Sequence, residues 1–247
     1  MSHTYSDTFF DYIDDSASRS AAVLIRLVLE GCTPASILDV GCGRGAWLRV
    51  WARNGIEDLR GVDGDYVDRE TLEIPGEAFT AADLTRPLSL GRRFDLVQSL
   101  EVAEHLSPDA SETFVESLTT HGDVILFSAA TIGQGGEFHV NERPLTFWRD
   151  LFAAHGYAAF DPLRPAMREN RDVAPWYRYN SLLYANEAGQ ERLSAAFRAA
   201  ACPAEQPIDE GGDPLWRLRR AVLGRLPQST VTNLAQLRAK LLVATRG

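Results

Sequence analysis

Two acidic residues and a histidine occur within five positions at Glu101, Glu104 and His105, and a second histidine, His139, follows later in the chain. If the first run is helical, its spacings of three and four residues place these side chains on one face. Carboxylate and imidazole groups arranged in this way can bind a divalent cation. The same groups can act without a metal, with His139 as a base or substrate contact and the Glu–His run as a support for its loop. The spacing predicts an acid–base or metal site and leaves that choice open.

A glycine cluster lies directly after an apolar run and directly before a helical pattern: Gly41, Gly43 and Gly45. Glycine lets a strand-to-helix turn bend sharply, and lets a ligand approach the bare backbone and the first amides of a helix. Asp39 precedes the cluster. Cys42 lies inside it as a small neighbour of the expected ligand, since nothing near it in sequence supplies the base that a nucleophilic thiol needs.

Acidic residues also end the next two predicted strands. Asp63 follows Gly41 by 22 residues, at a position where a carboxylate can accept hydrogen bonds from both hydroxyls of a ribose. Asp83 and Leu84 come next, where a side chain and a backbone amide can bind the edge of an adenine. The pattern therefore predicts a nucleoside-containing ligand.

Alternating strand and helix patterns position these residues. Short runs rich in Val, Ile and Leu are separated by segments of helical period, which is typical of a mostly parallel α/β sheet with helices on both faces. We divide the chain into an N-terminal helical segment (1–35), a ligand-binding core (36–186) and a helical C-terminal extension (187–247).

Four motifs occur in a fixed order along the core: ILDVGCGRGAWL, GVDGD, AADL and FDLVQSLEVAEHL. They resemble the motifs of the class I S-adenosylmethionine (SAM)-dependent methyltransferases over about residues 18–186. The resemblance implies a Rossmann-like seven-stranded sheet whose last strand is antiparallel, with SAM at its C-terminal edge. A dinucleotide-binding loop would read G-x-G-x-x-G, whereas this loop reads G-x-G-x-G. By position, the resemblance implies that SAM contacts Asp39, Gly41, Cys42, Gly43, Gly45, Asp63, Asp83, Leu84, Ser99 and Leu100.

The ExxEH run with a later histidine is similar to the metal site of Hen1-type RNA 2′-O-methyltransferases and of ubiquinone-pathway O-methyltransferases. Carried over by position, this resemblance implies a divalent cation held by Glu101, Glu104, His105 and His139. The residues expected to act on the acceptor are His139 and Glu104.

Composition excludes several classes of protein. No apolar run approaches the ~20 residues that cross a bilayer, and the acidic N-terminus lacks the positive charge of a secretory signal. The three cysteines have unrelated spacings, so we expect no disulfide framework and a cytoplasmic location. Lys240 is the only lysine, which excludes a Walker A loop and a pyridoxal Schiff base in the core.

Charge is distributed unevenly along the chain. The net charge is −9, yet the segment 214–247 contains seven arginine or lysine residues and no acidic residue. The acidic body argues against a nucleic-acid partner. The helical patterns of this segment have apolar faces that predict burial, either on the body or in a homodimer: Leu215, Leu218, Val222, Leu234, Leu237 and Leu241.

The sequence thus predicts a SAM-dependent methyltransferase that acts on a small-molecule acceptor, at oxygen rather than nitrogen. Two alternatives remain open. One is a metal-dependent 2′-O-methyltransferase of RNA ends, and the other is a non-catalytic scaffold that retains the SAM fold.

Overall fold

A computed structural model describes the backbone of residues 7–244 and the side chains of residues 17–237. Its strands are β1 (Ser36–Val40), β2 (Asp58–Asp63), β3 (Phe79–Ala81), β4 (Leu96–Leu100), β5 (Val124–Ser128), β6 (Ala158–Phe160) and β7 (Leu182–Ala185). They form one seven-stranded sheet in the order β3-β2-β1-β4-β5-β7-β6. β7 is antiparallel to both of its neighbours, whereas β1 to β5 pair in parallel. The predicted Rossmann-like sheet with an antiparallel last strand is confirmed.

The helices are α1 (Asp7–Leu29), α2 (Ala46–Arg53), α3 (Ser111–His121), α4 (Leu145–Ala154), α5 (Leu163–Met167), α6 (Pro175–Asn180), α7 (Glu187–Glu191), α8 (Ala195–Ala199), α9 (Pro214–Leu223) and α10 (Gln228–Ala244). Helices cover both faces of the sheet. Leu24 of α1 and Trp51 of α2 pack on one face with Ile37 of β1, and Phe114 of α3 and Trp148 of α4 pack on the other. Each large apolar side chain buried in this way contributes roughly 1.5–3 kcal/mol, so the sheet forms a rigid platform for the loops at its edge.

The strand order reverses between β1 and β4. The chain passes from β1 to β2 and β3 on one side, and then crosses to β4 and β5 on the other. The loops that follow β1 and β4 therefore diverge, which leaves a crevice at the carboxyl edge of the sheet where ligands of open α/β sheets bind.

Five strands, β3 to β7, are shorter than their sequence patterns predict. The pattern EAFTAAD predicts a third strand over Glu77–Asp83, but β3 contains three residues, Phe79–Ala81. The pattern YNSLLYA predicts a last strand that starts at Tyr179, but Pro175–Asn180 forms α6 and β7 begins at Leu182. Pro175 stands in the first turn of α6, a position that suits proline because its fixed φ is helical and no N–H is needed there.

The C-terminal helices α9 and α10 leave apolar side chains in contact with solvent. Leu215 is 77% exposed, and Leu218, Val222, Leu234 and Leu237 are also exposed. The side chain of Leu241 lies outside the described residues. The homodimer that this face suggested stays a prediction. Within the described residues, none of the helices has the length and hydropathy that crossing a membrane requires.

Candidate functional site

The glycine loop leaves the end of β1 and enters α2. Gly41, Gly43 and Gly45 all have positive φ (86°, 54° and 91°), a conformation that favours glycine. The amides of Gly41 and Cys42 both donate to the carbonyl of Val62, at 2.7 and 3.2 Å, which ties the loop to the neighbouring strand β2. The loop is thus a rigid turn of exposed backbone at the crevice.

Asp63 at the end of β2 holds the glycine loop from the other side. Its Oδ2 accepts from the amide of Gly43 at 2.6 Å, and its Oδ1 accepts from the amide of Gly64 at 2.7 Å and from the hydroxyl of Tyr66. Burial raises the pKa of this carboxyl group, although these hydrogen bonds oppose the shift. The Tyr66 ring is 45% exposed. A ribose bound at Asp63 would share Oδ1 with this hydroxyl or displace it.

Asp39 is buried beneath the loop with an unused hydrogen-bond acceptor. Its Oδ2 has no hydrogen-bond partner among the described residues, and burial raises its pKa to about 7. A buried acceptor without a donor is costly, so it marks a position that a ligand's donor can fill. An ammonium group such as that of SAM fits this chemistry.

The remaining residues predicted to bind SAM lie around this edge in different environments. Cys42 is buried, and burial raises the pKa of its thiol well above the usual value, which agrees with a packing role. Ser99 and Leu100 are buried at the end of β4. Asp83 is exposed, and its Oδ1 accepts from the amide and hydroxyl of Thr85. Leu84 beside it is half-buried. Contact of these residues with SAM stays a prediction.

The Glu101–His105 run follows β4 and is not an α-helix. A single 3-10 turn spans Ala103–His105, and Glu101 lies outside it with a φ of 58°. The expectation of one helical face is therefore wrong. Positive φ in a residue with a side chain is strained, and such strain often occurs at functional sites. Phe138, directly before His139, also has a φ of 58°.

Backbone hydrogen bonds bring the two histidine segments together. The amides of Val140 and Asn141 donate to the carbonyl of Glu104 at 2.8 and 3.0 Å. The Asn141 side chain donates to Ser111 Oγ at 2.9 Å. As a result the rings of His105 and His139 meet edge to face, with centroids 4.9 Å apart.

Three of the four predicted metal ligands converge. Glu104, His105 and His139 each offer a ligand atom, and these atoms lie within 4.8 Å of one another. Glu104 is fully buried, and among the described residues neither of its carboxylate oxygens has a hydrogen-bond partner. Burial, together with neighbouring Glu101, raises its pKa well above the usual value. Burial and the nearby His139 lower the pKa of His105 to about 3. The donor set and the unsatisfied carboxylate fit a divalent cation or a shared proton.

Glu101 is a neighbour of Glu104, and a hydrogen-bonded amide pair holds its carboxylate. Gln134 Nε2 donates to Glu101 Oε2 at 2.6 Å, and Asn180 Nδ2 donates to Gln134 Oε1 at 2.7 Å and to Glu101 Oε1 at 3.3 Å. Sequence reasoning missed both amides. They come from the loop after β5 and from α6, and no spacing rule connects such distant positions.

Glu142 was also missed, although it organises the loop that carries His139. Its carboxylate accepts from the amides of Gly133 and Gly135 at 2.8 and 2.7 Å, and pairs with His139 Nδ1 at 2.9 Å. Burial alone would raise the pKa of Glu142, but these hydrogen bonds hold it below its usual value. The one sequence signal was its position three residues after His139.

The glycine loop packs against the segment that carries Glu101 and Glu104. A Cβ at Gly41 would lie 2.3 Å from a methyl carbon of Val102, so the Val102 side chain fills the space between the loop and the turn. The glycine at position 41 is therefore needed both for its positive φ and for this close approach.

A cavity of about 250 Å³ opens beside His139. We call it the acceptor pocket. The loop that follows β5 contributes Gly136, His139 and Glu142 to its wall, and the C-terminal helices with the turn between them contribute Leu223, Leu226 and Val231. The C-terminal extension therefore forms part of the site.

The sequence matches the methyltransferase domain family over residues 13–163. No curated protein sequence matches the chain significantly. The fold is similar to that of the plantazolicin methyltransferase BpumL, solved with a pentazolic desmethylPZN analog and SAH (TM-score 0.51, 16% identity, covering 73% of this chain and 90% of that one). It is also similar to the methyltransferase domain of bacterial CtHen1-C (TM-score 0.51, 15% identity, 69% and 98%). A third similar structure is a proposed O-methyltransferase from Nostoc punctiforme (TM-score 0.53, 14% identity, 72% and 58%).

The family match covers more than half of the chain, and the sheet order, the glycine loop and the acidic strand ends agree with it. This chain belongs to the methyltransferase domain family and is a SAM-dependent methyltransferase.

Proposed function

We propose that this enzyme transfers the methyl group of SAM to an oxygen atom of a small-molecule acceptor bound in the acceptor pocket. The observation that carries the proposal is the position of His139. This histidine lines a cavity and belongs to a group of ionisable side chains with Glu104 and His105. At about 250 Å³ the cavity is smaller than the usual range of roughly 300–1,000 Å³ for ligand pockets, which favours a small acceptor.

Methyl transfer from a sulfonium requires alignment of the nucleophile, the methyl carbon and the sulfur, and the enzyme's main contribution is to hold that geometry. An alcohol or phenol reacts faster if its proton is removed as the new bond forms. Such a nucleophile therefore needs a base next to its binding site. The buried group around His139 supplies one, which is why we favour oxygen over nitrogen.

The pair formed by His139 and Glu142 suits that role. A carboxylate 2.9 Å from Nδ1 favours the tautomer in which Nδ1 carries the proton and donates it to Glu142. Nε2 is then the proton acceptor. The same carboxylate stabilises the imidazolium that forms when Nε2 takes the proton from the acceptor hydroxyl.

A divalent cation at Glu104, His105 and His139 is the alternative way of activating the hydroxyl. Its support is the fully buried, unpartnered carboxylate of Glu104 beside two imidazoles. A bound cation would lower the pKa of a coordinated hydroxyl group. In either case the carboxylate oxygens of Glu104 have no hydrogen-bond donor among the residues that the structure describes.

The first experiment measures transfer of a labelled methyl group from SAM to a panel of small alcohols, phenols and amines. We expect products methylated at oxygen. His139→Ala should lower the rate by about 10²–10⁴ and leave the affinity for SAM unchanged, since a general base contributes that much to a proton transfer. His155→Ala, which changes a histidine at the end of α4, is the matched control. Methylation of amines alone, or full activity of His139→Ala, would contradict the proposal.

The second experiment separates the two modes of activation. The parent enzyme and Glu104→Gln are assayed with and without a chelator, followed by addition of Mg²⁺, Mn²⁺ or Zn²⁺. Loss of parent activity with the chelator and its recovery with one cation would assign a metal site. Unchanged activity would assign proton transfer by His139 and eliminate the cation.

A further inference from the structure

Apolar side chains in contact with solvent are concentrated in one part of the described structure. Within residues 17–237, whose side chains are described, nine large apolar side chains are exposed. Eight of these lie on the C-terminal helices, in the turn between them or on the loop after β5 that packs against α9: Ile132, Val140, Leu215, Leu218, Val222, Leu226, Leu234 and Leu237. Single exposed apolar residues are common, but a concentration of this kind marks an interaction surface.

α9 has an inner side that is fixed to the body of the protein. Trp216 is buried on this side, and its ring packs on Tyr179 with centroids 5.7 Å apart. Arg220 donates to the carbonyl of Ile132 at 3.0 Å. Because these contacts hold the helix, its outer side stays in solvent unless another surface covers it.

The outer side of α9 presents a stripe of aliphatic side chains. Leu215, Leu218 and Val222 follow one another at spacings of three and four residues, which places them on one face of a helix. They are 77%, 61% and 52% exposed. We call these three residues the outer stripe.

Arginines border the outer stripe. Arg225 follows Val222 by three residues, and its amide donates to the carbonyl of Val222 at 3.1 Å, so it lies at the end of the stripe. Arg217 is next to Leu218 in the chain, and both arginines are exposed. Arg217 lies 3.6 Å from Asp209, with both side chains more than half exposed, which is a weak ion pair.

Charge and area decide which partner fits the outer stripe. The segment 214–247 contains seven arginine or lysine residues and no acidic residue. A second copy in a twofold-symmetric contact would bring the same cations against each other, and like charges repel. The stripe also offers only a few hundred Å² of apolar surface, less than the roughly 800 Å² per partner of a stable protein interface. The stripe therefore suits a partner with an apolar interior and a negatively charged surface.

We propose that the outer stripe docks this enzyme on the surface of an anionic lipid bilayer. Leu215, Leu218 and Val222 would enter the boundary between headgroups and acyl chains, and Arg217 and Arg225 would lie among the phosphates. A helix with an aliphatic face and arginines beside it binds a membrane in this way, and a fluid bilayer needs no surface of complementary shape. Each cation near an anionic membrane surface strengthens the attachment. The inference goes beyond methyl transfer and does not depend on the identity of the acceptor.

The test measures binding of the full-length chain to unilamellar vesicles by co-sedimentation. One set of vesicles contains phosphatidylcholine alone, and the other contains an equal mixture of phosphatidylcholine and phosphatidylglycerol. We expect partition into the anionic vesicles to be at least about tenfold stronger, owing to the arginines, and to weaken as salt is added. Equal binding to both kinds of vesicle, or binding to neither, would overturn the proposal.

A change in the stripe tests the apolar contribution. Leu218→Gln/Val222→Gln should lower partition into anionic vesicles by more than about tenfold, since two aliphatic side chains no longer leave water. Both positions are exposed, so the melting temperature should stay close to that of the parent. Undiminished binding in this variant would show that the stripe does not enter the bilayer.

A change in the arginines tests the contribution of charge. Arg217→Gln/Arg225→Gln should remove most of the preference for anionic vesicles. The matched control is Arg26→Gln/Arg53→Gln, which removes the same charge from exposed positions of α1 and α2 and should stay within about twofold of the parent. Equal losses in the two double variants would mean that total charge, and not the stripe, governs binding.

Two other partners are distinguished by the same variants. Sedimentation equilibrium should show no dimer held by the stripe. A parent dimer that Leu218→Gln/Val222→Gln dissociates would assign the stripe to a second copy of this chain. Binding of poly-L-glutamate that Arg217→Gln/Arg225→Gln abolishes, without binding to vesicles, would assign it to an acidic polypeptide. Either result would overturn the lipid proposal.

Discussion

The two halves of the site are built in different ways. On the cofactor side, a short stretch of backbone between β1 and α2 is held by Asp63 through direct hydrogen bonds to nearby amides. On the acceptor side, Glu104, His105 and His139 come from two loops, and the outer wall comes from helices nearly one hundred residues further along the chain. The cofactor half is built from residues close together in the sequence, and most of its polar groups are hydrogen-bonded within the protein. The acceptor half depends on long-range contacts, and within the described part of the chain the carboxylate of Glu104 has no hydrogen-bond donor.

This difference has a physical consequence. A change in the cofactor half should alter SAM binding with little effect on the rest of the site. A change in the docking of the C-terminal helices should alter acceptor chemistry while SAM still binds, since the hydrogen bonds described for the glycine loop join it to Val62 and Asp63 of β2.

Among the changes that test this difference, the largest effect should come from Gly133→Ala. A Cβ at this position would lie 2.3 Å from the carbonyl oxygen of Arg220, so α9 must move away from the loop. A displacement of this size can cost ~100-fold in rate, and we expect such a loss with the Kd for SAM unchanged. Rates are measured by methyl transfer and Kd by calorimetry.

Gly156→Ala is the matched control for this change. Gly156 has almost the same φ as Gly133, 81° against 80°, but a Cβ there meets nothing within 4 Å. Both variants introduce the same backbone strain, and one of them also clashes with α9. Equal loss of activity in the two would show that the docking of α9 does not matter.

Asp63→Ala should have the next largest effect and act on the other half. It leaves the amides of Gly43 and Gly64 without their acceptor and removes the carboxylate expected at the ribose. We expect SAM to bind ~10–100-fold more weakly, the cost of about 1–3 kcal/mol for unpaired polar groups. Asp65→Ala, two residues away and exposed, is the control. Unchanged SAM affinity in Asp63→Ala would contradict the ribose assignment.

Asp39→Asn should raise stability and lower SAM affinity. The folded carboxyl group keeps its proton up to a pKa of about 7, whereas the unfolded chain loses it near 3.8. Between these values the folded state binds more protons, so the parent loses stability as pH rises and the loss is complete above pH 7.

The asparagine variant cannot ionise and should avoid this loss. At pH 8 we expect it to be more stable by on the order of 1–4 kcal/mol in urea denaturation, with little difference near pH 4. Its SAM affinity should fall, because the acceptor for the ammonium group loses its charge. A variant no more stable than the parent at pH 8 would show that Asp39 is not a buried charge.

Cys42→Ala should have the smallest effect. Burial, with Asp39 and Asp63 nearby, keeps the pKa of the thiol well above its usual value, so it is not a nucleophile at neutral pH. We expect the rate to stay within about twofold, and the thiol in the parent to resist iodoacetamide at pH 8. Loss of activity in Cys42→Ala, or in the parent after treatment with iodoacetamide, would assign this cysteine a chemical role.

Much of the cofactor half was predictable from local sequence. The strand Ser36–Val40, the three glycines and Asp63 follow one another within a single β-α-β unit, where spacing along the chain fixes spacing in the fold. The histidines were found by residue type, but the expected helical face at Glu101–His105 was wrong, since the strained backbone at Glu101 separates it from the turn.

What the sequence determined by itself is the sheet, the glycine loop and the residue types available for chemistry, because hydrophobic period and turn residues act over a few positions. Only the tertiary structure decided that Gln134 and Asn180 hold Glu101, that Glu142 orients His139, and that α9 covers the pocket. Those contacts join segments far apart in the chain. Their geometry is set by packing on the finished sheet, and no local pattern encodes it.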